Sequence, residues 1–365
     1  LASAGTTEKA ELMKKAEDAG AGAVVMKSLF EQEVTRIAPT PRFRVLHHNL
    51  GNLKTFTLYS YEQASIWGPE RYAEEVTRAK KTVGIPVIAS INCITDEGWA
   101  SYARRMEQAG ADALELNTSC PHGSITFRGH EVHETILKVV EIVRREVRIP
   151  IITKLSPQLT IPLALTKEVE RLGSEGVVIF NRLTGLDIST ETERAVMHEG
   201  YAGHGGPWAI YFALRWISEI FPHVKLHISA SGGAMDADDV VKFLLTGATT
   251  VQVCTAIYLR GFDVIRKMNE GLEQWMSRKG YQTLADFRGK VSGRKVLDIN
   301  EVFRTHCQVA EIDPALCSAC GLCAKVCIYF APQKSGEKYA IGDRCDGCGL
   351  CPELCPKRAI RMVRA

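Results

Sequence analysis

The sequence predicts an α/β protein, a (β/α)₈ barrel followed by a small cysteine-rich domain. Three observations predict this fold. Short apolar runs alternate with amphipathic stretches up to about residue 280, as βα units require. Several amphipathic stretches end in glycine directly before the next apolar run, which is typical of αβ junctions. Eight of the 12 cysteines then lie between Cys317 and Cys355, in two runs of regular spacing.

The strand candidates are nearly continuous apolar runs, which predicts that both faces of a parallel sheet are buried. They cover residues 23–27, 86–91, 113–117, 150–156, 176–182, 225–231 and 250–256. The helix candidates between and after them cover residues 70–83, 96–109, 131–147, 161–172, 236–245 and 261–279.

Seven strands are visible, whereas a closed barrel needs eight. Residues 1–5 look like the carboxyl end of a strand that runs into its loop. We therefore expect a first strand that is cut short and further residues before Leu1 in the native protein. An open doubly wound sheet is the alternative, but it normally carries a glycine-rich nucleotide loop, and no G-x-G-x-x-G is present.

The chain divides by pattern into three parts. The barrel is predicted over residues 1–283, a charged connector over 284–310 and the cysteine-rich domain over 311–365.

Composition excludes several classes of protein. The net charge of +3 gives no reason to expect a nucleic acid or an anionic membrane surface as partner. No apolar run reaches the ~18 residues that cross a bilayer, and the first residues do not resemble a signal peptide. Regularly spaced cysteines in a chain of this length indicate reduced thiols that bind metal, and hence a cytoplasmic protein.

The two cysteine runs have the spacing of bacterial ferredoxins with two [4Fe–4S] clusters, C-x₂-C-x₂-C-x₃-C. In that pattern the fourth cysteine of each run binds the other cluster. One predicted cluster has the ligands Cys317, Cys320, Cys323 and Cys355, and the other has Cys345, Cys348, Cys351 and Cys327. A pair of zinc sites is the alternative, but zinc sites normally use two separated cysteine pairs. Two adjacent clusters predict a path for electrons.

A second motif, Asn117-Thr118-Ser119-Cys120-Pro121, begins at the carboxyl end of a strand candidate. Barrel active sites are built on that face. An amide with a thiol three residues later suits a polar planar substrate beside a proton donor.

At this motif the sequence resembles the dihydroorotate and dihydropyrimidine dehydrogenase family, whose hallmark is Asn-x-Ser-Cys-Pro. The resemblance covers nearly the whole chain. It includes residues 2–4, Lys27, 89–91, 109–123, 153–157, Asn181 with 184–186, 231–233 and 251–256.

The resemblance implies FMN as a cofactor. The phosphate would be held by backbone amides near Gly232 and Gly233 and by Cys254 and Thr255, at helix N-termini. The residues expected to touch the flavin ring are Ala2, Ser3, Lys27, Asn92, Asn117 and Lys154. A lysine at a strand end, such as Lys154, would also favour an anionic reduced flavin.

The resemblance also implies the chemistry. Cys120 would be the general acid and base that exchanges a proton with one carbon of a C=C bond, while FMN exchanges a hydride with the other. Asn117 and Asn181 would pair with the carbonyl and N–H edges of the substrate, because an amide offers both a donor and an acceptor.

Three departures from the family leave the substrate open. The loop at residues 124–130 is shorter than in dihydropyrimidine dehydrogenases. Arg182 follows Asn181 where those enzymes have threonine, and its guanidinium would favour a carboxylate if it faces the pocket. Residues 56–65 lack the expected asparagine, and Glu62 is the candidate there for holding a substrate N–H. Residues 200–208 are glycine-rich and are interpreted as a mobile rim, a phosphate loop or tight packing.

The leading hypothesis is reduction, or reversible oxidation, of the C=C bond of a cyclic amide such as a pyrimidine. A dihydroorotate-type enzyme and a reductase of another unsaturated ring are the alternatives. From a different class, the chain could be an electron-transfer subunit of a larger redox complex. A partner subunit with FAD and NAD(P)H sites, or a ferredoxin, is expected as electron donor, and the protein is expected to be an oligomer.

Overall fold

The computed structural model describes residues 1–31, 41–50, 53–60, 67–118, 129–196, 201–292 and 308–364. These residues form two compact units, one of residues 1–48 and 55–294 and one of 49–54 and 295–365. The strands are β1 (Val24–Val25), β2 (Leu29–Phe30), β3 (Phe43–Leu50), β4 (Leu53–Ser60), β5 (Val87–Asn92), β6 (Ala113–Asn117), β7 (Ile151–Lys154), β8 (Gly176–Ile179), β9 (Leu183–Gly185), β10 (Ile188–Ser189), β11 (Arg194–Ala195), β12 (Ala202–Gly205), β13 (His227–Ser231), β14 (Thr250–Gln252), β15 (Gln308–Ile312), β16 (Pro332–Ser335), β17 (Lys338–Ile341) and β18 (Ile360–Arg364).

The helices separate these strands in chain order. They are α1 (Ala10–Asp18), α2 (Pro69–Thr82), α3 (Asp96–Gln108), α4 (Gly129–Glu146), α5 (Pro162–Arg171), α6 (Ile210–Ile220), α7 (Ala237–Leu245), α8 (Thr255–Arg260), α9 (Asp263–Lys279), α10 (Leu322–Val326) and α11 (Leu350–Leu354). Within the described ranges, none of them has the length and apolar character needed to span a bilayer.

The first unit is built on a parallel sheet of order β1-β5-β6-β7-β8-β13-β14, with β2 also paired to β5. All seven predicted strands are present. Their interior residues are buried on both faces, and β8 and β6 have no exposed residue. The burial explains why the apolar runs were continuous.

The backbone at residues 1–2 bonds to both edges of this sheet. The Leu1 carbonyl accepts from Val25 N at 3.0 Å, and Ala2 N donates to the Val253 carbonyl at 3.1 Å. Residues 1–2 therefore lie where the first strand was expected, between β1 and the chain that follows β14, but they do not form a regular strand. The result is an α/β barrel, as predicted, with the parallel strands inside and the helices around them.

Several predicted strands are longer than the observed ones at their carboxyl ends. The candidate 150–156 forms β7 only up to Lys154, and 176–182 forms β8 only up to Ile179. After β8 the chain continues through Phe180, Asn181 and Arg182, which line the cavity described below.

The predicted helices agree with α2, α3, α4, α5, α7 and α9 to within two residues, while α1, α6, α8, α10 and α11 were not predicted. Helix α3 begins at a capping threonine, since Thr95 Oγ1 accepts from Gly98 N at 2.9 Å. Helix α6 buries one face, formed by Ile210, Ala213, Ile217 and Ile220.

An antiparallel sheet of order β3-β4-β12-β9 was also not predicted. The glycine-rich stretch 200–208 contributes β12, which pairs with β4 and β9, so a strand stands where a mobile rim or phosphate loop was considered. Glycines in β12 and β9 leave room for side chains of neighbouring residues. A Cβ on Gly203 would lie within 2.5 Å of the Arg182 guanidinium, and one on Gly185 within 2.7 Å of the His204 ring.

In the second unit, residues 308–364 form two antiparallel strand pairs, β15–β18 and β16–β17, and two short helices. Its two cysteine runs have matching backbone conformations. Positive φ angles recur at equivalent places in each run, at Ala319 and Gly347, at Gly321 and Gly349, and at Phe330 and Arg358. The duplicated spacing in the sequence therefore corresponds to a duplicated local fold.

Candidate active site and cysteine cavity

A cavity opens at the carboxyl ends of the parallel strands, within the first unit. Polar residues from successive strands form its floor, and Phe180, Trp208 and Phe212 contribute to an aromatic wall. Among the predicted site residues, those that line this one cavity are Ala2, Ser3, Lys27, Asn117, Lys154, Asn181, Arg182, Gly232, Gly233, Cys254 and Thr255.

The floor is a hydrogen-bonded set of buried side chains. Asn117 and Lys154 are register partners across β6 and β7, and they are 7% and 5% exposed. Asn181 Nδ2 donates to Asn117 Oδ1 at 3.0 Å, and Asn117 Nδ2 donates to Ser28 Oγ at 3.1 Å. The two amides are thus held side by side and present donor and acceptor atoms in fixed positions.

Lysines lie at two places around the floor, and both are ion-paired. Lys27 Nζ lies 3.1 Å from Glu8 Oε1, and Lys154 Nζ lies 3.3 Å from Glu115 Oε1. Buried charges are tolerated because they are paired in this way. Asn92, which was also expected at the ring, is not among the lining residues, and its Nδ2 donates to the Asn117 carbonyl at 2.6 Å.

Arg182 lies on the cavity wall, as the carboxylate hypothesis required. Its Nη1 donates to Ser60 Oγ at 2.7 Å, and its side chain lies flat against the backbone of Gly203. The guanidinium is therefore positioned by β4 and β12, the strands of the antiparallel sheet.

One corner of the cavity is formed by backbone. Gly232 and Gly233 follow β13 with φ angles of +105° and +89°, which other residues rarely adopt. A Cβ on Gly233 would lie only 2.4 Å from Ile210 N, so a close approach of two backbone segments depends on glycine here. Cys254 and Thr255, at the start of α8, line the cavity with them.

Two predicted site residues, Glu62 and Cys120, lie outside the described residues.

Sequence reasoning missed several residues that line or support the cavity. These are Ser28, Ser60, Ser90, Glu115, His204, Trp208 and Gln252. Glu115 could have been recognised, because it is the only charged residue in an otherwise apolar strand candidate and lies two residues from Asn117. His204 and Ser60 could not, because they reach the cavity through unpredicted strands.

His204 packs its ring edge-on against Tyr59, with centroids 4.7 Å apart. Burial lowers the pKa of His204, and the Arg182 charge acts in the same direction, while a backbone hydrogen bond and Asp187 oppose the shift. The imidazole is therefore neutral at pH 7.

The donor set fits the flavin that the family resemblance implies. Gln252, 7% exposed, donates through Nε2 to Glu115 Oε2 at 3.2 Å, while its Oε1 is buried without a hydrogen-bond partner in the described part of the chain. A flavin pyrimidine edge carries an N–H that such an acceptor can bind, and carbonyls that suit the Lys154 ammonium. The backbone at Gly232 and Gly233, called the glycine corner below, has positive φ angles that allow a phosphate to approach its amides closely.

A second cavity lies in the cysteine-rich unit. Its lining includes Cys317, Cys320, Cys323 and Cys355, the four thiols assigned from spacing to one cluster. The thiols line the walls instead of converging on one point, and among the described residues no group of three or more metal-binding side chains surrounds a single ion position. Backbone amides point at two of the sulfurs, Ala319 N to Cys317 Sγ at 3.4 Å and Ala359 N to Cys355 Sγ at 3.3 Å.

The glycines of the cysteine runs are required for two different reasons, backbone conformation and packing. Gly321 and Gly349 adopt left-handed conformations immediately before α10 and α11. Gly347 is required by packing as well, because a Cβ there would lie 2.1 Å from the Gln308 carbonyl.

Fold and site together define the class of protein, an α/β barrel enzyme with its ligand cavity at the carboxyl ends of the strands. The chain belongs to the dihydroorotate dehydrogenase family, whose model matches residues 1–276. The resemblance read from the sequence is thereby confirmed, as is the expectation of an oxidoreductase that acts on CH–CH bonds.

Two groups of relatives are similar to the chain. The chain is 31% identical over 282 residues to the dihydroorotate dehydrogenase B (NAD(+)) catalytic subunit of Pyrococcus abyssi, covering 76% of this chain and 90% of the relative. The corresponding subunit of Methanothermobacter thermautotrophicus is 33% identical over 277 residues, covering 74% and 86%. The NAD-dependent dihydropyrimidine dehydrogenase subunit PreA of Escherichia coli is 26% identical over 329 residues, covering 87% and 79%.

The two groups differ in how much of this chain they match. Residues 1–294 make up about four-fifths of the chain, so the 87% matched by PreA must include part of the cysteine-rich unit. The two dihydroorotate dehydrogenase subunits match 76% and 74% of the chain, which is less than the barrel unit contains.

Proposed function

We propose that this chain is a flavin and iron–sulfur oxidoreductase that reduces, or reversibly oxidises, a C=C bond of a cyclic amide such as a pyrimidine. The observation that carries the proposal is the cavity floor, where Asn117, Asn181 and Lys154 meet beside an orphaned acceptor on Gln252. An amide pair of fixed orientation is suited to a ring that carries both N–H and C=O groups.

In this proposal FMN occupies the floor and the glycine corner. Lys154 and Gln252 would hold the pyrimidine edge of its ring, and the backbone at Gly232 and Gly233, with Cys254 and Thr255, would hold its phosphate. When bound, FMN supplies hydride chemistry.

The remaining chemistry belongs to side chains of the protein. Cys120 follows Asn117 by three residues and is proposed as the group that donates the proton to the second carbon of the C=C bond. Asn117 and Asn181 would orient the ring so that the reacting carbons face the thiol and the flavin. The aromatic wall of Phe180, Trp208 and Phe212 would exclude water from the site.

The cysteine-rich unit is proposed to hold two [4Fe–4S] clusters that deliver electrons. The spacing of the eight cysteines supports this assignment, and so does the cavity that Cys317, Cys320 and Cys323 share with Cys355. An electron donor outside this chain is then required, either a partner subunit with FAD and NAD(P)H sites or a ferredoxin. The name of PreA, which calls it a subunit of an NAD-dependent enzyme, supports the first choice.

A dihydroorotate-type activity is the second candidate, and Arg182 favours it. The guanidinium lines the cavity and is held by Ser60. Arginine binds carboxylates in a bidentate geometry, and orotate differs from uracil by a ring carboxylate. Conversion of Arg182 to Met would then raise KM for orotate roughly tenfold or more, while any reaction with uracil would be little changed.

The deciding experiment is anaerobic stopped-flow reoxidation. The photoreduced full-length protein is mixed separately with uracil, thymine and orotate, and flavin absorbance is followed. Rapid reoxidation by uracil or thymine supports the leading proposal, and reoxidation by orotate alone supports the second candidate. If none of the three reoxidises the flavin, both pyrimidine assignments are wrong.

A further inference from the structure

A single carboxylate connects four of the barrel strands beneath the cavity. Glu115, in the middle of β6, has no exposed surface. Its Oε1 accepts from Ser90 Oγ of β5 at 3.0 Å and from Lys154 Nζ of β7 at 3.3 Å. Its Oε2 accepts from Gln252 Nε2 of β14 at 3.2 Å. A buried carboxylate in such a position is costly unless it is fully paired, and here three donors pair it.

The carboxylate also determines which hydroxyl donates and which accepts in a chain of three serine side chains. Ser90 must donate its one proton to Glu115, because a carboxylate only accepts. Ser28 Oγ, 2.7 Å from Ser90 Oγ, must then donate to Ser90, and Ser3 Oγ, 3.0 Å from Ser28 Oγ, must donate to Ser28. Ser3 and Ser28 line the cavity, whereas Glu115 does not. Ser3 is thereby left with lone pairs for a ligand.

We propose that Glu115 is a positioning residue that sets the charge and the hydrogen-bond polarity of the cavity floor. It holds the Lys154 ammonium and offsets its charge, it turns Gln252 so that Oε1 is the remaining acceptor, and through the serine chain it makes Ser3 an acceptor. This inference rests on the proposed function, since the group above the floor is taken to be a flavin.

The charge balance has a measurable consequence for that flavin. Lys154 alone would strongly favour an anionic reduced ring, and the negative charge of Glu115 reduces this preference. Removing only the negative charge therefore stabilises reduced FMN relative to oxidised FMN. Two charges separated by a few ångströms in a protein interior interact strongly enough to change the preference by roughly tenfold or more.

The test measures dissociation constants of oxidised and reduced FMN for full-length apoprotein, wild type and Glu115→Gln. The ratio of the oxidised to the reduced constant is expected to rise roughly tenfold or more in Glu115→Gln. The control is Glu270→Gln, which makes the same charge change at an exposed position of α9 and should leave the ratio unchanged. Ser90→Ala breaks the hydroxyl chain without a charge change and should alter the ratio less than about threefold.

A second variant covers the case in which Glu115→Gln does not fold. The double variant Glu115→Gln/Lys154→Gln replaces the ion pair by neutral groups, so no unpaired charge is buried. Its ratio should stay within about threefold of wild type, because both charges are lost together. A tenfold fall in the double variant, or no rise in a folded Glu115→Gln, overturns the role of Glu115. If wild-type apoprotein binds no FMN at all, the proposed function is wrong, whatever the variants do.

Discussion

At the scale of single residues, the polar side chains of the cavity floor are hydrogen-bonded to neighbours that are distant in the sequence. Lys154 is held by Glu115, Asn181 by Asn117, and Asn117 by Ser28. The side chains expected to touch a ligand therefore have little rotational freedom left to lose on binding. A rigid floor makes the effect of single substitutions easier to separate into binding and chemistry.

Cys120→Ala tests the thiol. The variant should bind FMN and accept electrons as wild type does, while turnover falls by about 10²–10⁴, the usual contribution of a positioned acid. Flavin titration and anaerobic reduction check the first part, and steady-state turnover with the substrate that reoxidises the flavin checks the second. Turnover equal to wild type would rule out the proton-donor role.

His204 gives a prediction about pH. Burial lowers the pKa of His204 in the folded protein, so the unfolded chain binds this proton more readily. The stability that neutral His204 contributes is present above about pH 6.5 and is lost as pH falls below it. Between pH 7.5 and 5.5 the urea midpoint should fall more steeply for wild type than for His204→Gln. The exposed His223→Gln variant is the control, and parallel slopes for all three proteins would contradict the prediction.

At the scale of elements, the segment that follows β13 packs closely against the start of α6, and this packing depends on glycine. Gly233 has a φ angle of +89°, and its neighbour Ile210 N would lie 2.4 Å from an added Cβ. Gly110 has a similar φ angle of +92° but nothing within 4 Å of the same position. A substitution at Gly110 therefore introduces backbone strain alone, whereas one at Gly233 introduces the same strain together with a steric clash.

Gly110→Ala should cost about 1–2 kcal/mol of unfolding free energy, the cost of a left-handed alanine. Gly233→Ala should cost clearly more, and it should also weaken FMN binding at least about tenfold, because the corner proposed for the phosphate must move. Urea denaturation and flavin titration measure the two effects. Equal losses of stability, with FMN binding intact in both variants, would show that the corner tolerates a side chain.

The barrel elements were predictable because their signals are local. Buried parallel strands such as β8 are apolar throughout, and helices such as α3 carry a capping threonine and an amphipathic pattern. The antiparallel sheet was not predictable. Strands β9 and β12 are three and four residues long and contain glycine, so their pairing is decided by distant partners. The same non-local pairing kept His204 and Ser60 from being recognised as site residues.

At the scale of the whole molecule, two units carry the two parts of the proposed chemistry, and each can be tested without disturbing the other. Cys317→Ser and Cys355→Ser should each lower the iron content from about eight to about four atoms per chain. Both variants should also leave the same remaining cluster, and therefore the same electron paramagnetic resonance spectrum. FMN content should not change, because the proposed flavin site lies in the barrel.

Two variants of the other predicted cluster complete this test. Cys345→Ser and Cys327→Ser should leave the other cluster, with a spectrum that differs from the first pair. Cys93→Ser, at a buried cysteine of the barrel, is the control and should keep both clusters. If Cys355→Ser instead gives the spectrum of Cys345→Ser, the fourth ligands are not exchanged between the two runs.

The cavity that contains Cys317 also contains Cys355, a residue near the far end of the sequence. During protein synthesis, a nascent chain that has reached only Cys327 has made the first run but cannot complete this cavity. Closure has to wait until the second run has left the ribosome. We therefore expect the proposed cluster to be completed only after both runs have been synthesised, an order that the sequence itself enforces.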